Sequence, residues 1–304
     1  MYAFLSGGTG TPKLLEGFRN HLNDVNLQVI CNTGDDYQWN GLHISPDLDT
    51  VLYLFSGKLD VEKYWGIKQD TFHALQTLNE LEGNQWFNVG DFDLGLHIFR
   101  TNLLKINTLT EITKMICNQW QISATILPMA DQLITTLLDT QHGKLHFQEY
   151  FVRHRHSIDV HKIIFQGDKT QSTKDVLMAI SNAKQIIIGP SNPVTSIGPI
   201  ISINDVNQQL KDTSHKVTLI SPIEGNRAFS GPTVQLMLAH GISPDIIGIC
   251  NYYQNLISKI IISPKDKHLS SKIYDLGIEP MIMDIELKND QNKSQLAREI
   301  LDVL

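Results

Sequence analysis

The sequence predicts an α/β fold in which a mostly parallel, doubly wound sheet carries a small helical subdomain. Two observations predict it. Short apolar runs repeatedly end in clusters of Gly, Asn, Asp or Ser, as buried strands do when they enter polar loops. The first two runs are separated by one amphipathic segment, a strand–helix–strand unit within about thirty residues that favours parallel pairing with a right-handed crossover.

The first run, residues 2–5, leads into Ser6-Gly7-Gly8-Thr9-Gly10 and reads as a strand entering a tight loop. Leu14, Leu15 and Phe18 then recur at helical spacing, so a helix begins near Pro12, a residue the first turn tolerates. Leu27–Cys31 is the second strand and ends in Asn32-Thr33-Gly34-Asp35-Asp36. From about residue 58 to 120, leucines, tryptophans and polar residues alternate at helical spacing, broken at Asn88-Val89-Gly90-Asp91. This reads as a helical insertion into a core made of residues 1–57 and 121–304, all one domain. Further strands are expected at 124–127, 145–152, Gln185–Ile188, 216–220, 246–250 and 260–263, with a helix over 231–240 and a terminal helix from Ser294.

With 304 residues, 41% of them hydrophobic, the chain buries a sizeable core without disulfides or a structural metal. Its net charge of −7 argues against a nucleic-acid partner, which calls for a basic patch. Cys31, Cys117 and Cys250 are odd in number and far apart, as free thiols in a reducing compartment are. The N-terminus has no basic, apolar signal pattern, and no apolar stretch approaches the roughly 18 residues that span a membrane. The expectation is a cytoplasmic protein acting on small molecules, with neither membrane nor nucleic acid as partner.

The loop Gly7-Gly8-Thr9-Gly10-Thr11-Pro12-Lys13 opens a helix, where glycines admit close approach of an anion and free N–H groups face it. It lacks the Gly-Lys-Ser/Thr ending of a Walker loop, and Lys13 stands where a dinucleotide fingerprint has its third glycine. A bare tight turn is the plain alternative. Next come Asp35-Asp36 and Ser45-Pro46-Asp47-Leu48-Asp49-Thr50. Carboxylates beside a phosphate loop repel the ligand unless a divalent cation such as Mg2+ lies between them. The competing reading is that Asp47 or Asp49 merely caps the apolar helix that follows. Gly189-Pro190-Ser191-Asn192 would suit phosphate contacts or serve only as a turn. His154 and His156, which with His161 form a histidine cluster, would lie on one face of a strand; a solvated strand edge explains the cluster better than a metal site. Trp39, Trp65, Trp86 and Trp120 read as core.

Taken together, the glycine loop, Asn32-Thr33-Gly34-Asp35-Asp36, Ser45 to Tyr53 and Gly189 to Pro193 resemble the 2-phospho-L-lactate transferase family. Leu127-Pro128-Met129, Phe147-Gln148-Glu149-Tyr150 and Ser221-Pro222-Ile223 add to the likeness, in family order over most of the chain. The resemblance implies a Rossmann-like core, magnesium dependence and a homodimer. It implies transfer of a phospholactyl, phosphoenolpyruvyl or phosphoglyceryl group from a guanosine diphosphate ester to the terminal ribityl hydroxyl of the deazaflavin FO, with GMP leaving. By the same likeness Asp35 or Asp36 and Asp47 hold the metal, and Gly7, Gly8, Thr9, Gly10, Thr11, Lys13, Ser191 and Asn192 hold phosphate and nucleotide. Asp49 lies at the FO site and orients or deprotonates its hydroxyl. Where the family has Gly-Asp-Arg-Asp followed by Ala-Thr-His, this chain reads Gly90-Asp91-Phe92-Asp93-Leu94-Gly95-Leu96-His97, placing Phe92 at a deazaflavin-binding position without its cation. Glu224-Gly225-Asn226 is a second departure. A related family of nucleotide-sugar-binding regulators shares the glycine loop but lacks the Ser-Pro-Asp-Leu-Asp-Thr segment. A dinucleotide oxidoreductase would want an acidic residue where Asn32 closes the second strand.

Overall fold

The computed structural model describes residues 1–83, 85–167, 170–229 and 231–304. Strand β1 (Tyr2–Ser6) runs through the glycine loop into α1 (Gly10–Arg19), and β2 (Leu27–Cys31) returns parallel to β1. A hairpin, β3 (Tyr37–Trp39) and β4 (Leu42–Ile44), precedes α2 (Pro46–Phe55). Helices α3 (His73–Glu82), α4 (Asp91–Leu103) and α5 (Leu109–Gln119) occupy the region read as helical. Strand β5 (Thr125–Pro128) rejoins the sheet, followed by the antiparallel trio β6 (Thr135–Thr140), β7 (Gly143–His146) and β8 (Val160–Gln166).

The second half alternates: α6 (Lys174–Asn182), β9 (Gln185–Ile188), α7 (Gly198–Ser202), α8 (Asn204–Asp212) and β10 (Val217–Ile220). A short hairpin, β11 (Ile223–Glu224) and β12 (Arg227–Ala228), leads to α9 (Thr233–Ala239) and α10 (Ile246–Tyr252). Then come β13 (Lys259–Ile262), α11 (Ser270–Asp275), β14 (Glu279–Ile282) and α12 (Asp290–Val303).

Seven strands form one parallel sheet in the order β14-β13-β10-β9-β1-β2-β5. Numbered along the chain from the β5 edge, that order is 3-2-1-4-5-6-7, so winding reverses between β1 and β9. Crevices open outside the carboxyl ends of strands at such a switch point. Successive side chains alternate between the two faces. Ala3, Leu5, Ile186 and Ile188 pack into one core, and Phe4, Val29, Ile187 and Ile261 into the other with Leu14, Leu15, Phe18 and Leu296.

Three expectations need correction. Residues 246–250 are helical, because the Asp245 carboxylate accepts the Gly248 N–H at 2.7 Å and caps α10; an all-apolar run carries no period to distinguish helix from strand. The expected strand at 145–152 ends at His146, and Glu149–Arg153 makes a π-helical turn. His154, Arg155 and His156 therefore lie in a turn, with φ of +47° and +48° at the last two, and His154 and His156 share no strand face. The terminal helix also starts four residues early, where Asn289 accepts the Asn292 N–H at 2.9 Å.

Candidate active site

The glycine loop after β1 and Gly189–Asn192 after β9 meet at the switch point. They are bolted together by buried hydroxyls: Thr11 N–H donates to Ser191 Oγ at 3.0 Å, and the two hydroxyl oxygens lie 2.9 Å apart. Gly8 takes φ +58°, a left-handed value that suits glycine. A Cβ on Gly10 would overlap the Pro190 carbonyl. Gly10→Ala is therefore expected to cost about 1–3 kcal/mol in stability, which urea unfolding checks. Asn192 accepts the N–H groups of Val194 and Thr195 at 2.9 and 3.2 Å, fixing the next turn.

Two cavities flank this junction and share Thr9 and Gly10. The first, about 440 Å³, is lined by Gly8, Asp35, Asp47, Ser191 and Asn192 on its polar side and by Tyr64, Trp65, Phe87, Phe147 and Phe151. The second, about 300 Å³, holds Lys13, Arg227 and Lys288 with Glu224, Glu286 and Phe229. Burial lowers the Lys13 ammonium from its usual range, as does the nearby Lys293 charge. Glu224 is tied to Ser263 Oγ and Lys265 Nζ, each at 2.5 Å.

The carboxylates divide by their surroundings. Burial and then the Asp47 charge push Asp35 well above the usual carboxylate range, and its Oδ1 is buried without a hydrogen-bond partner. Burial also raises Asp47, to about 6, against the Gly8 N–H and the Asn32 amide that face it; Asn32 Nδ2 donates to its Oδ2 at 2.9 Å. Among the described residues lining the first cavity there is no lysine or arginine. Two oxygen donors facing one space, one of them unpartnered, form a donor set that fits Mg2+.

Asp36 is differently employed. Ser45 Oγ donates to its Oδ1 at 2.6 Å and His43 Nε2 lies 2.8 Å from its Oδ2, so both oxygens are occupied. Between Asp35 and Asp36, the structure presents Asp35 to the cavity.

Asp49 does not line either cavity. It is 3% exposed in the first turn of α2, where Arg100 of α4 grips both of its oxygens, Nη1 donating to Oδ2 at 3.0 Å. His97 stands 3.7 Å from Asp49 and 3.2 Å from Asp93, whose other neighbour is the Tyr53 hydroxyl. Burial opposes charge on Asp93, but His97 and Tyr53 outweigh it and hold the carboxyl below its usual range. Neither Asp47 nor Asp49 caps α2 with its side chain; Ser45 is the N-cap residue. Phe92 is 64% exposed at the start of α4 and stands away from both cavities. Trp65, read as core, is instead 48% exposed on the cavity rim, whereas Trp39 is buried. His154, His156 and His161 join no ligand cluster; among the described residues the grouping within ligand reach is Asp49, Asp93 and His97, of which Asp49 is already paired with Arg100.

The sequence model of 2-phospho-L-lactate transferase CofD matches residues 3–301. The chain belongs to this family. Proteins named 2-phospho-L-lactate transferase from Methanospirillum hungatei, Methanosarcina acetivorans and Methanocaldococcus jannaschii are 44%, 40% and 36% identical to it. The alignments cover 88%, 96% and 98% of this chain and 90%, 95% and 96% of those relatives. A crystal structure of protein BH3568 from Bacillus halodurans superposes with a TM-score of 0.66 over 99% of this chain and 98% of that one, at 17% identity, a likeness of fold. The CofD-family chain is thus a transferase in the deazaflavin coenzyme context, working on small molecules. No helix among the described residues is long and apolar enough to cross a membrane.

Proposed function

We propose that this transferase moves a phosphorylated three-carbon acid from a guanosine diphosphate ester to the terminal ribityl hydroxyl of FO. The observation that carries the reading is the Asp35–Asp47 pair, set between a glycine loop and an aromatic-walled cavity large enough for a flat ring system. The donor's nucleotide fits the smaller, cation-bearing cavity around Lys13, Arg227 and Lys288, with its phosphates over Thr9 and Gly10. The acceptor takes the aromatic cavity. Asp35 and Asp47 would hold Mg2+, which when bound neutralises the pyrophosphate and stabilises leaving GMP.

The amides at Gly8 to Gly10 and the Ser191 and Asn192 side chains orient the phosphates. The FO hydroxyl oxygen forms the new bond to the acid-bearing phosphorus, the bond from that phosphorus to GMP breaks, and the hydroxyl proton is released. Asp49 supports this arrangement from behind: its pair with Arg100 fixes the helical turn that presents Asp47.

The test is turnover with FO, Mg2+ and the guanosine diphosphate esters of lactate, enolpyruvate and glycerate, following GMP and the phosphorylated deazaflavin by mass spectrometry. Product with one ester, abolished by chelator, supports the reading and names the donor. Folded protein that binds guanine nucleotide yet yields no product with any ester overturns it.

A further inference from the structure

Between α2 and α3 the chain folds back on itself, with Leu59 bridged to Ile67 and the Asp60 N–H donating to the Gly66 carbonyl at 3.1 Å. Tyr64 and Trp65 lie within this loop and differ sharply. Tyr64 is 4% exposed and has φ +59°, a left-handed conformation that a bulky side chain keeps only where its surroundings impose it. Those surroundings come from both ends of the chain. The phenol donates to the Glu16 carboxylate of α1 and accepts from the Lys293 ammonium of α12. Lys293 is itself buried and lies 2.8 Å from both Glu16 and Asp290. Lys13 Nζ sits 4.9 Å from the Tyr64 ring centroid, so the residue also touches a group of the second cavity.

Trp65, one residue on, is half exposed and lines the first cavity with Phe87, Phe147, Phe151 and Asp47. The other aromatics have ring partners: Phe147 stacks on Phe151 with centroids 5.5 Å apart and planes 16° apart, and Phe87 packs on Trp86 and Tyr37. The Trp65 indole has no aromatic ring partner among the described residues: Lys63 Nζ lies 5.4 Å from its ring centroid, a surface cation rather than a packed ring, and its backbone is anchored by a neighbour locked to α1 and α12. An indole face is the protein surface best suited to a flat, polarisable heteroaromatic ring.

We propose that Trp65 is the stacking surface for the tricyclic ring of the acceptor, and that Tyr64, with Glu16 and Lys293, is the device that positions it. The proposal rests on the transferase reading and assigns the acceptor's ring recognition within it. Tyr64 is a positioning residue: its own ring meets Lys13, and its effect on the acceptor runs through Trp65.

Titration of FO, read by quenching of deazaflavin fluorescence, tests both parts. Because base–aromatic stacking is worth roughly 1–3 kcal/mol, Trp65→Leu is expected to raise the Kd for FO about 5- to 150-fold. KM for FO should rise more than kcat falls, and Trp65→Phe should recover much of the loss. Tyr64→Phe keeps the ring against Lys13 and removes only the hydroxyl. It should weaken FO binding in the same direction and change GDP affinity less, and Lys293→Met should weaken FO binding likewise. Thermal unfolding confirms that each variant is folded, and Glu16 and Lys293 still pair in Tyr64→Phe. If wild type binds FO and Trp65→Leu binds it equally well, the stacking assignment is overturned. If Trp65→Leu is impaired but Tyr64→Phe and Lys293→Met are not, the positioning role is overturned. A wild type that binds no FO overturns the transferase reading itself.

Discussion

Asp35→Asn and Asp47→Asn should each lower turnover by roughly three orders of magnitude, the several kcal/mol that a catalytic cation supplies to a transferring phosphoryl group. The fold should survive both changes. Asp35 is buried and Asp47 half-buried in the wall of the same cavity, and each is raised above its ordinary pKa by burial, so the folded state disfavours their charge. An acid whose folded pKa lies above its unfolded value detracts from stability once the pH exceeds the unfolded value. Removing one charge at neutral pH therefore leaves the melting temperature at or above that of wild type. Mg2+ should reverse the ranking: it should raise the melting temperature of wild type by binding only the folded state, and of neither variant. A thermal-shift titration with Mg2+ reads this without an activity assay. Wild type unmoved by Mg2+, with variants that turn over normally, would remove the cation from this site. Asp36→Asn supplies the contrast: its oxygens serve Ser45 and His43 rather than the cavity, so the rise of the melting temperature with Mg2+ should persist in this variant.

The sequence made the sheet legible wherever a strand was short, mostly apolar and followed by a polar loop. β2 and β9 are where the pattern put them, and β1, β10 and β13 are within a residue. These strands are buried on both faces, so polar residues inside them are few, Gln28 in β2 and Thr218 in β10. The trio β6, β7 and β8 followed other rules. In β6 the buried positions are Thr136, Leu138 and Thr140, so hydroxyls occupy the inward face and the alternation that marks a half-buried strand is blurred. The strand assigned to 145–152 failed because Phe147 and Phe151 suit a helical turn, where residues four apart meet, as well as they suit a strand.

At the site, local chemistry was readable and distant pairing was not. The glycine loop and the Asp35 and Asp47 carboxylates follow from residue types within fifty positions of the N-terminus. The choice between Asp35 and Asp36 depended on Ser45 and His43 folding back over Asp36, a geometry that spacing does not encode. Trp65 was read as core because tryptophan usually is; only exposure distinguishes it from Trp39. Arg100 carries no motif at all, being one arginine on an amphipathic helix, 51 residues from the aspartate it grips.

That arginine sets the second large expectation. Arg100 is fully buried, and its charge is met by Asp49 on α2. Removing one partner of such a pair strands the other without water or counter-charge, at a cost of about 3–5 kcal/mol. Arg100→Met and Asp49→Asn should each lower the free energy of unfolding by that amount in urea titrations. The double variant Asp49→Leu/Arg100→Met should recover much of the loss, because no charge is then left unpaired. Turnover should follow position: α2 carries Asp47 in the same first turn, so a loosened Asp49 displaces the cavity carboxylate. Family likeness assigns Asp49 to the acceptor itself, and the two roles separate cleanly. If Asp49→Asn keeps wild-type stability and loses turnover by orders of magnitude, the carboxylate acts on FO directly and must leave Arg100 to do so. If stability and turnover fall together and the double variant restores both in part, Asp49 works through the helix it anchors.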